Sequence, residues 1–208
     1  MKQINTVALL LFLGLGTFTS LAEAQNTLGD KVVELYEALP PAQQKPGGDC
    51  YAVMYKRINS AVKETCGVAQ ELPNLRSFKA FDRIWASKND PQSSWIVVDV
   101  NYRGKGAAGA MASIGMGTLV EGDDIWNGKL QPGAVIQTWK LRSDFERVRD
   151  GKVPQDIGHS FIFLRYAKDS SDKITGMLIA DQGTDWCEPN QIKESQFEYW
   201  VAANIRCM

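Results

Sequence analysis

The chain contains one histidine, His159, and four cysteines, Cys50, Cys66, Cys187 and Cys207. Cys50 ends the loop "KPGGDC", and an apolar, helix-like pattern begins at once. A thiol has an ordinary pKa of about 8.5, and a helix N-terminus or a neighbouring imidazolium favours the thiolate. The unbonded amides of a first helical turn could also receive the oxyanion formed when a thiolate attacks a carbonyl. An imidazole that serves such a thiol needs a carboxylate to fix its tautomer. Asp181 offers one. With a turn centred between Ser170 and Ser171, His159 lies opposite Asp181 or Gln182, where directly paired residues sit about 4.5–5.5 Å apart. The expected arrangement has the carboxylate taking the Nδ1 proton and the other ring nitrogen acting on Cys50. A slip of one residue would exchange Asp181 for Gln182, and Asp185 and Asn190 stand further out.

The elements that must position these residues can be read from periodicity. Thr27 to Leu39 predicts a short helix stopped by Pro40 and Pro41. From Cys50, Tyr51, Met54, Tyr55, Ile58, Ala61, Val62 and Thr65 recur on one face, with Lys56, Arg57, Lys63 and Glu64 mostly on the other. Gly67 stops that helix. Leu75 to Ala86 predicts a helix, and Trp95 to Tyr102 a strand. Ala134 to Leu141 predicts a strand entered through Pro132-Gly133, followed by one or two charged helical turns over Ser143 to Arg149. "SFIFLRY" (160–166) and "ITGMLIA" (174–180) predict a hairpin, and Gln196 to Asn204 a short helix or strand. Helices first and an antiparallel sheet after them indicate an α+β fold, N-terminal helices packed on a small antiparallel sheet.

Bulk properties narrow the function. Lys and Arg total 23 against 24 Asp and Glu, a net charge of -1 with no basic block, which argues against nucleic-acid binding. Residues 1–24 have the form of a secretory signal peptide, ending in Ala22-Glu23-Ala24. The mature chain, 25–208, is then expected to be a single domain, secreted or periplasmic, with no membrane span. Export permits disulfides, and four cysteines allow three complete pairings. A helical Cys50–Cys66 segment would hold those residues about 24 Å apart, too far for a bridge, which needs about 7 Å or less. The expectation is a Cys187–Cys207 bridge, Cys66 as a small buried hydrophobe and Cys50 as a reserved thiol. A bridge from Cys50 to the C-terminal pair stays open. No Cys/His run has zinc spacing. Gly104-Lys105-Gly106-Ala107-Ala108-Gly109 matches G-x-G-x-x-G, but alternating strands and helices are absent and Glu121 comes too early for a dinucleotide fold. Those residues predict a small-residue packing segment or a glycine-rich lip beside the thiol. The tryptophans are core by default, with Trp126, Trp139 and Trp186 as possible groove residues.

Asp49-Cys50 opening a helix, "LQPGAVIQTW", Gly158-His159 opening a strand, and Asp181 together resemble the NlpC-like and CHAP-like families of papain-fold bacterial cell-wall hydrolases. The resemblance implies a papain-like fold with Cys50 as nucleophile, His159 as general base and acid, and Asp181 as orienter. It implies cleavage of amide bonds in peptidoglycan stem peptides or cross-links, by an amidase or endopeptidase, with no cofactor. Gln44, six residues before Cys50, resembles the oxyanion-hole glutamine of papain-like proteases. Tyr51, in place of the usual small residue after the nucleophile, and Gln182 are further oxyanion-hole or substrate-binding candidates. Two other readings compete: a non-catalytic binding or inhibitor protein with Cys50 in a disulfide, and a thiol acyltransferase on another substrate.

Overall fold

A computed structural model describes residues 27–67, 99, 101–150, 152, 155, 158–183 and 191–208. The expected signal peptide, the helix over 75–86, most of the strand over 95–102, Trp186, Cys187, Asp185 and Asn190 lie outside them. Three helices come first: α1 (Leu28–Glu37), α2 (Pro41–Gln44) and α3 (Cys50–Thr65). Then follow α4 (Gly106–Ser113), β1 (Gly117–Glu121), α5 (Asp123–Trp126), β2 (Val135–Trp139), α6 (Arg142–Arg149), β3 (His159–Lys168), β4 (Ile174–Ala180), β5 (Gln191–Ile192) and β6 (Tyr199–Ile205). The fold is α+β: a six-stranded sheet in the order β1-β6-β2-β3-β4-β5, every pairing antiparallel.

Each helix start has a local cause. Thr27 and Asp30 form a capping box on α1. Asp49 caps α3, its Oδ1 accepting from the Ala52 amide at 2.8 Å, and replacing such a cap by alanine costs about 1 kcal/mol. The apolar face read from the sequence is the buried one: Tyr51, Met54, Ile58, Ala61 and Val62 face inward. They join α1, α4 and the inner residues of the sheet in one core, while Ile136, Phe161, Phe163, Phe197 and Trp200 build a second core on the other side. β2 is buried along its whole length, Gln137 and Thr138 included, because β6 and β3 flank it.

The segment expected to carry Gly104 to Gly109 is a packing device and not a lip. α4 is built of small residues, nearly all of them buried, and it lies against β1, β6 and β2. Gly106 has φ +51°, and any Cβ there would run into the Gln137 side chain. The Trp139 indole, buried and donating to the Gly104 carbonyl at 2.8 Å, belongs to the same packing. Trp126 stacks edge-on against Trp200 at 5.0 Å. β1 had no sequence expectation, and Asn101 to Gly104 form a turn where the end of a strand was predicted.

The cysteine pairing corrects the expectation. Cys66 bonds to Cys207, with Cα atoms 5.4 Å apart. Cys207 therefore does not bond to Cys187, and Cys66 is not a simple buried filler. The cause is topological. β6 returns antiparallel to β1, and the Arg206 amide bonds the Met116 carbonyl. The chain end is thus delivered to the core shared with the C-terminal end of α3.

Candidate active site

Cys50 is the first residue of α3 and the free cysteine among the described residues. Its amide has no carbonyl one turn back to bond, as at every helix start. His159 opens β3, paired with Thr138 of β2, whose hydroxyl donates to the His159 carbonyl at 3.3 Å. Asp181 follows β4 directly. The structure brings all three together. His159 Nε2 lies 3.4 Å from Asp181 Oδ2, and the imidazole also hydrogen-bonds Cys50. Both His159 and Asp181 are nearly sealed from solvent.

Two details differ from the sequence reading. The hairpin turn centres on Ser171 itself. Asp169 N donates to the Lys173 carbonyl, and the Asp169 carboxylate collects the Ser171 amide and hydroxyl and the Lys173 amide. Asp172 takes a left-handed φ of 66° to close this loop. Two register shifts, between Ala167 and Lys168 and between Phe163 and Arg165, offset each other, and Ile162 pairs with Ala180. Continued past Ala180, that register makes Asp181 a diagonal neighbour of His159 on the same face, still within side-chain reach. The second difference is the nitrogen. Nε2, not Nδ1, faces the carboxylate.

Asp181, and not Gln182, is the residue that meets His159. Its other oxygen, Oδ1, accepts from the Gly183 amide at 2.7 Å. This aspartate turn requires Gly183, whose φ is +93° and whose absent Cβ would press on the Lys45 side chain. The Gln182 side chain is buried with no hydrogen-bond partner for Oε1 among the described residues. Its backbone carbonyl accepts from the Gly47 amide at 2.7 Å, tying the loop before Cys50 to the end of β4.

The electrostatics concentrate on the imidazole. Burial opposes its charge, but the hydrogen bonds to Asp181 and Cys50 and the electrostatic interaction with both groups raise its pKa from 6.5 to about 9. The Nε2–Oδ2 distance is longer than an ordinary hydrogen bond. Such bonds in ligand-free sites commonly tighten when substrate is bound.

Gln44 and Tyr51 each have contacts away from the imidazole. Gln44 Nε2 donates to the Leu39 carbonyl at 3.0 Å, closing the end of α1. Tyr51 is a core residue, buried and tilted against Tyr55 at 6.1 Å. A groove of about 700 Å³ runs beside the site between α1, α2 and α3, with Pro46, Ala52 and Val53 on its border; Cys50 and His159 do not line it.

Arg57 was missed. The sequence placed it on the polar face of α3, yet it is half-buried and binds two backbone carbonyls, Asp181 O at 2.9 Å and Gln44 O at 2.8 Å. The available signal was its spacing: seven residues after Cys50 is two turns along the same face.

No family model, curated protein or solved structure matches the chain, so the geometry of these side chains is the ground on which its chemistry must be argued.

Proposed function

We propose that the protein is a papain-like cysteine hydrolase, an amidase or endopeptidase acting on amide bonds of bacterial cell-wall peptides. The observation that carries the chemistry is the continuous contact from the Cys50 thiol through the His159 imidazole to the Asp181 carboxylate, with the thiol at a helix N-terminus. The substrate class rests on the resemblance of Asp49-Cys50, Gly158-His159 and Asp181 to NlpC-like and CHAP-like enzymes. Residues 1–24 are proposed as an export signal and 25–208 as the mature domain. The Cys66–Cys207 disulfide is compatible with an oxidising compartment.

In the proposed cycle the Cys50 thiolate attacks the substrate carbonyl carbon. A C–S bond forms and the carbonyl electrons move to oxygen, which the Cys50 amide can receive. The oxyanion collapses, the C–N bond breaks, and the leaving amine takes the proton held by the His159 imidazolium. Neutral His159 next removes a proton from water, the hydroxide attacks the thioester, and the C–S bond breaks to return thiolate and imidazolium. Asp181 holds the ring and stabilises its charge throughout.

The test is digestion of purified peptidoglycan by the mature protein beside Cys50→Ala and His159→Ala, with products identified by mass spectrometry. Release of peptide fragments by the wild type alone is the expected result. Equal release by all three would remove both residues from the mechanism, and no release by any would favour a binding protein.

A further inference from the structure

Arg57 is a cation brought into a half-buried position without a carboxylate hydrogen-bonded to its guanidinium among the described residues. Its donors instead go to two main-chain carbonyls, and its Cζ lies 4.9 Å over the ring of Tyr36. Burial lowers its pKa, while Tyr36 and Asp181, the titratable groups around it, work in the opposite direction. Removing a guanidinium from water with no ion-pair partner among the described residues is costly, so the position calls for a reason beyond packing.

The two carbonyls supply one. Asp181 carries the carboxylate that meets His159, and Gln44 begins the loop that delivers Cys50 to the start of α3. Arg57 itself stands on α3, two turns from Cys50. One planar fork therefore ties the helix that bears the thiol to the strand end that bears the carboxylate and to the loop between α2 and α3. The fixed spread of guanidinium donors suits this double contact, whereas a lysine ammonium is a single point.

We propose that Arg57 is a positioning residue of the Cys50–His159–Asp181 site, holding the Asp181 main chain where its carboxylate can reach the imidazole. It touches no reacting atom. The proposal rests on the hydrolase reading given above. Without Arg57 the end of β4 relaxes away from α3, and His159 loses the carboxylate that supports its proton.

The chain has one histidine, so its ring resonances in the tag-free mature protein can be assigned without ambiguity and followed by NMR against pH. The wild type should titrate at about 9. Arg57→Met should move the midpoint down by about one unit or more, a tenfold or larger change in proton affinity. Arg57→Lys, able to reach one carbonyl, should move it part of the way. A purely electrostatic role gives the opposite sign, because deleting a nearby cation raises the midpoint. An Arg57→Met midpoint that is unchanged or higher overturns the proposal, whatever happens to the melting temperature. Should Arg57→Met fail to fold, Arg57→Lys decides: an unchanged midpoint in that variant overturns it. Asp181→Asn separates the two readings. If it leaves the midpoint unmoved, the His159–Asp181 contact fails and the hydrolase reading with it. If it lowers the midpoint and Arg57→Met does not, only the role of Arg57 falls.

Discussion

The two ends of α3 each carry a cysteine, and they have opposite fates. Cys66 caps the C-terminal end and is bonded covalently to Cys207 at the tail of the chain. Cys50 begins the N-terminal end, free, and touches a buried imidazole. The difference lies in what each end meets. The C-terminal end meets the last residues after β6, where a crosslink restrains a terminus. The N-terminal end meets His159, Asp181 and the Gly47–Gln182 clasp, which are non-covalent polar contacts. A single helix thus has one end locked and the other held only by polar contacts, and the thiol with a charge partner is at the second. The nucleophile proposed for Cys50 must make and break bonds to carbon, which a disulfide would forbid.

Breaking the two ends separately should give opposite phenotypes. Cys50→Ala is expected to lower peptidoglycan hydrolysis by at least about 10³-fold, with the denaturation midpoint near that of the wild type. Hydrolysis that survives the change refutes the assignment of the reactive end. Cys66→Ala with Cys207→Ala should do the reverse. Disulfides typically contribute about 2–4 kcal/mol, with long loops at the upper end, and this one spans 141 residues. Urea unfolding should show that loss while Cys50 still reacts with iodoacetamide in the folded protein. A double variant with unaltered unfolding would mean that the tail is secured by other contacts. Asp181→Asn gives a smaller effect, at the reactive end only: a fall in kcat of roughly 10²-fold with KM little changed, since it acts on the imidazole and not on bound substrate. A drop confined to KM would instead make Asp181 a substrate contact.

The same contrast marks what the sequence could and could not disclose. The start of α3 was legible because a proline- and glycine-rich loop, an aspartate cap and three- and four-residue apolar spacing coincide at Asp49-Cys50. The hairpin was legible because two apolar runs flank a polar turn. Its register was off by part of a turn, since the Asp169 side chain selects a loop centred on Ser171, and no apolar pattern encodes that choice. The disulfide was misread because its partners are distant in sequence and meet only through the path of β6. Arg57 escaped because charge on a helix is ordinarily solvated, and its acceptors are main-chain carbonyls from 13 and 124 residues away. Gln44 shows the converse: the residue stands at a familiar offset, but the turn after α1 takes its side chain. Local signals fix helices and strands; the contacts that join the two halves of the site are set by the fold.

The smallest effect is also the one that resolves the reactive end most finely. His159 has a folded pKa of about 9, above the ordinary 6.5. A group raised in this way contributes stability that is fully present below its unfolded value and lost as pH rises through its folded value. Relative to His159→Gln, the wild type should therefore lose stability between pH 6.5 and about 9, read as a falling difference in urea midpoints. Turnover should follow the same proton, because the imidazolium must protonate the leaving amine. The rate is expected to fall on the alkaline side near 9, whereas alkylation of Cys50, which needs no proton donor, should not fall there. Burial opposes the raised value, and Asp181 and Cys50 both support it. Asp181→Asn and Cys50→Ala should therefore each lower the alkaline midpoint of His159, and the larger fall identifies the main support of the imidazolium. A midpoint that one of the changes leaves unmoved would mean that the proton is not held from that side of the ring.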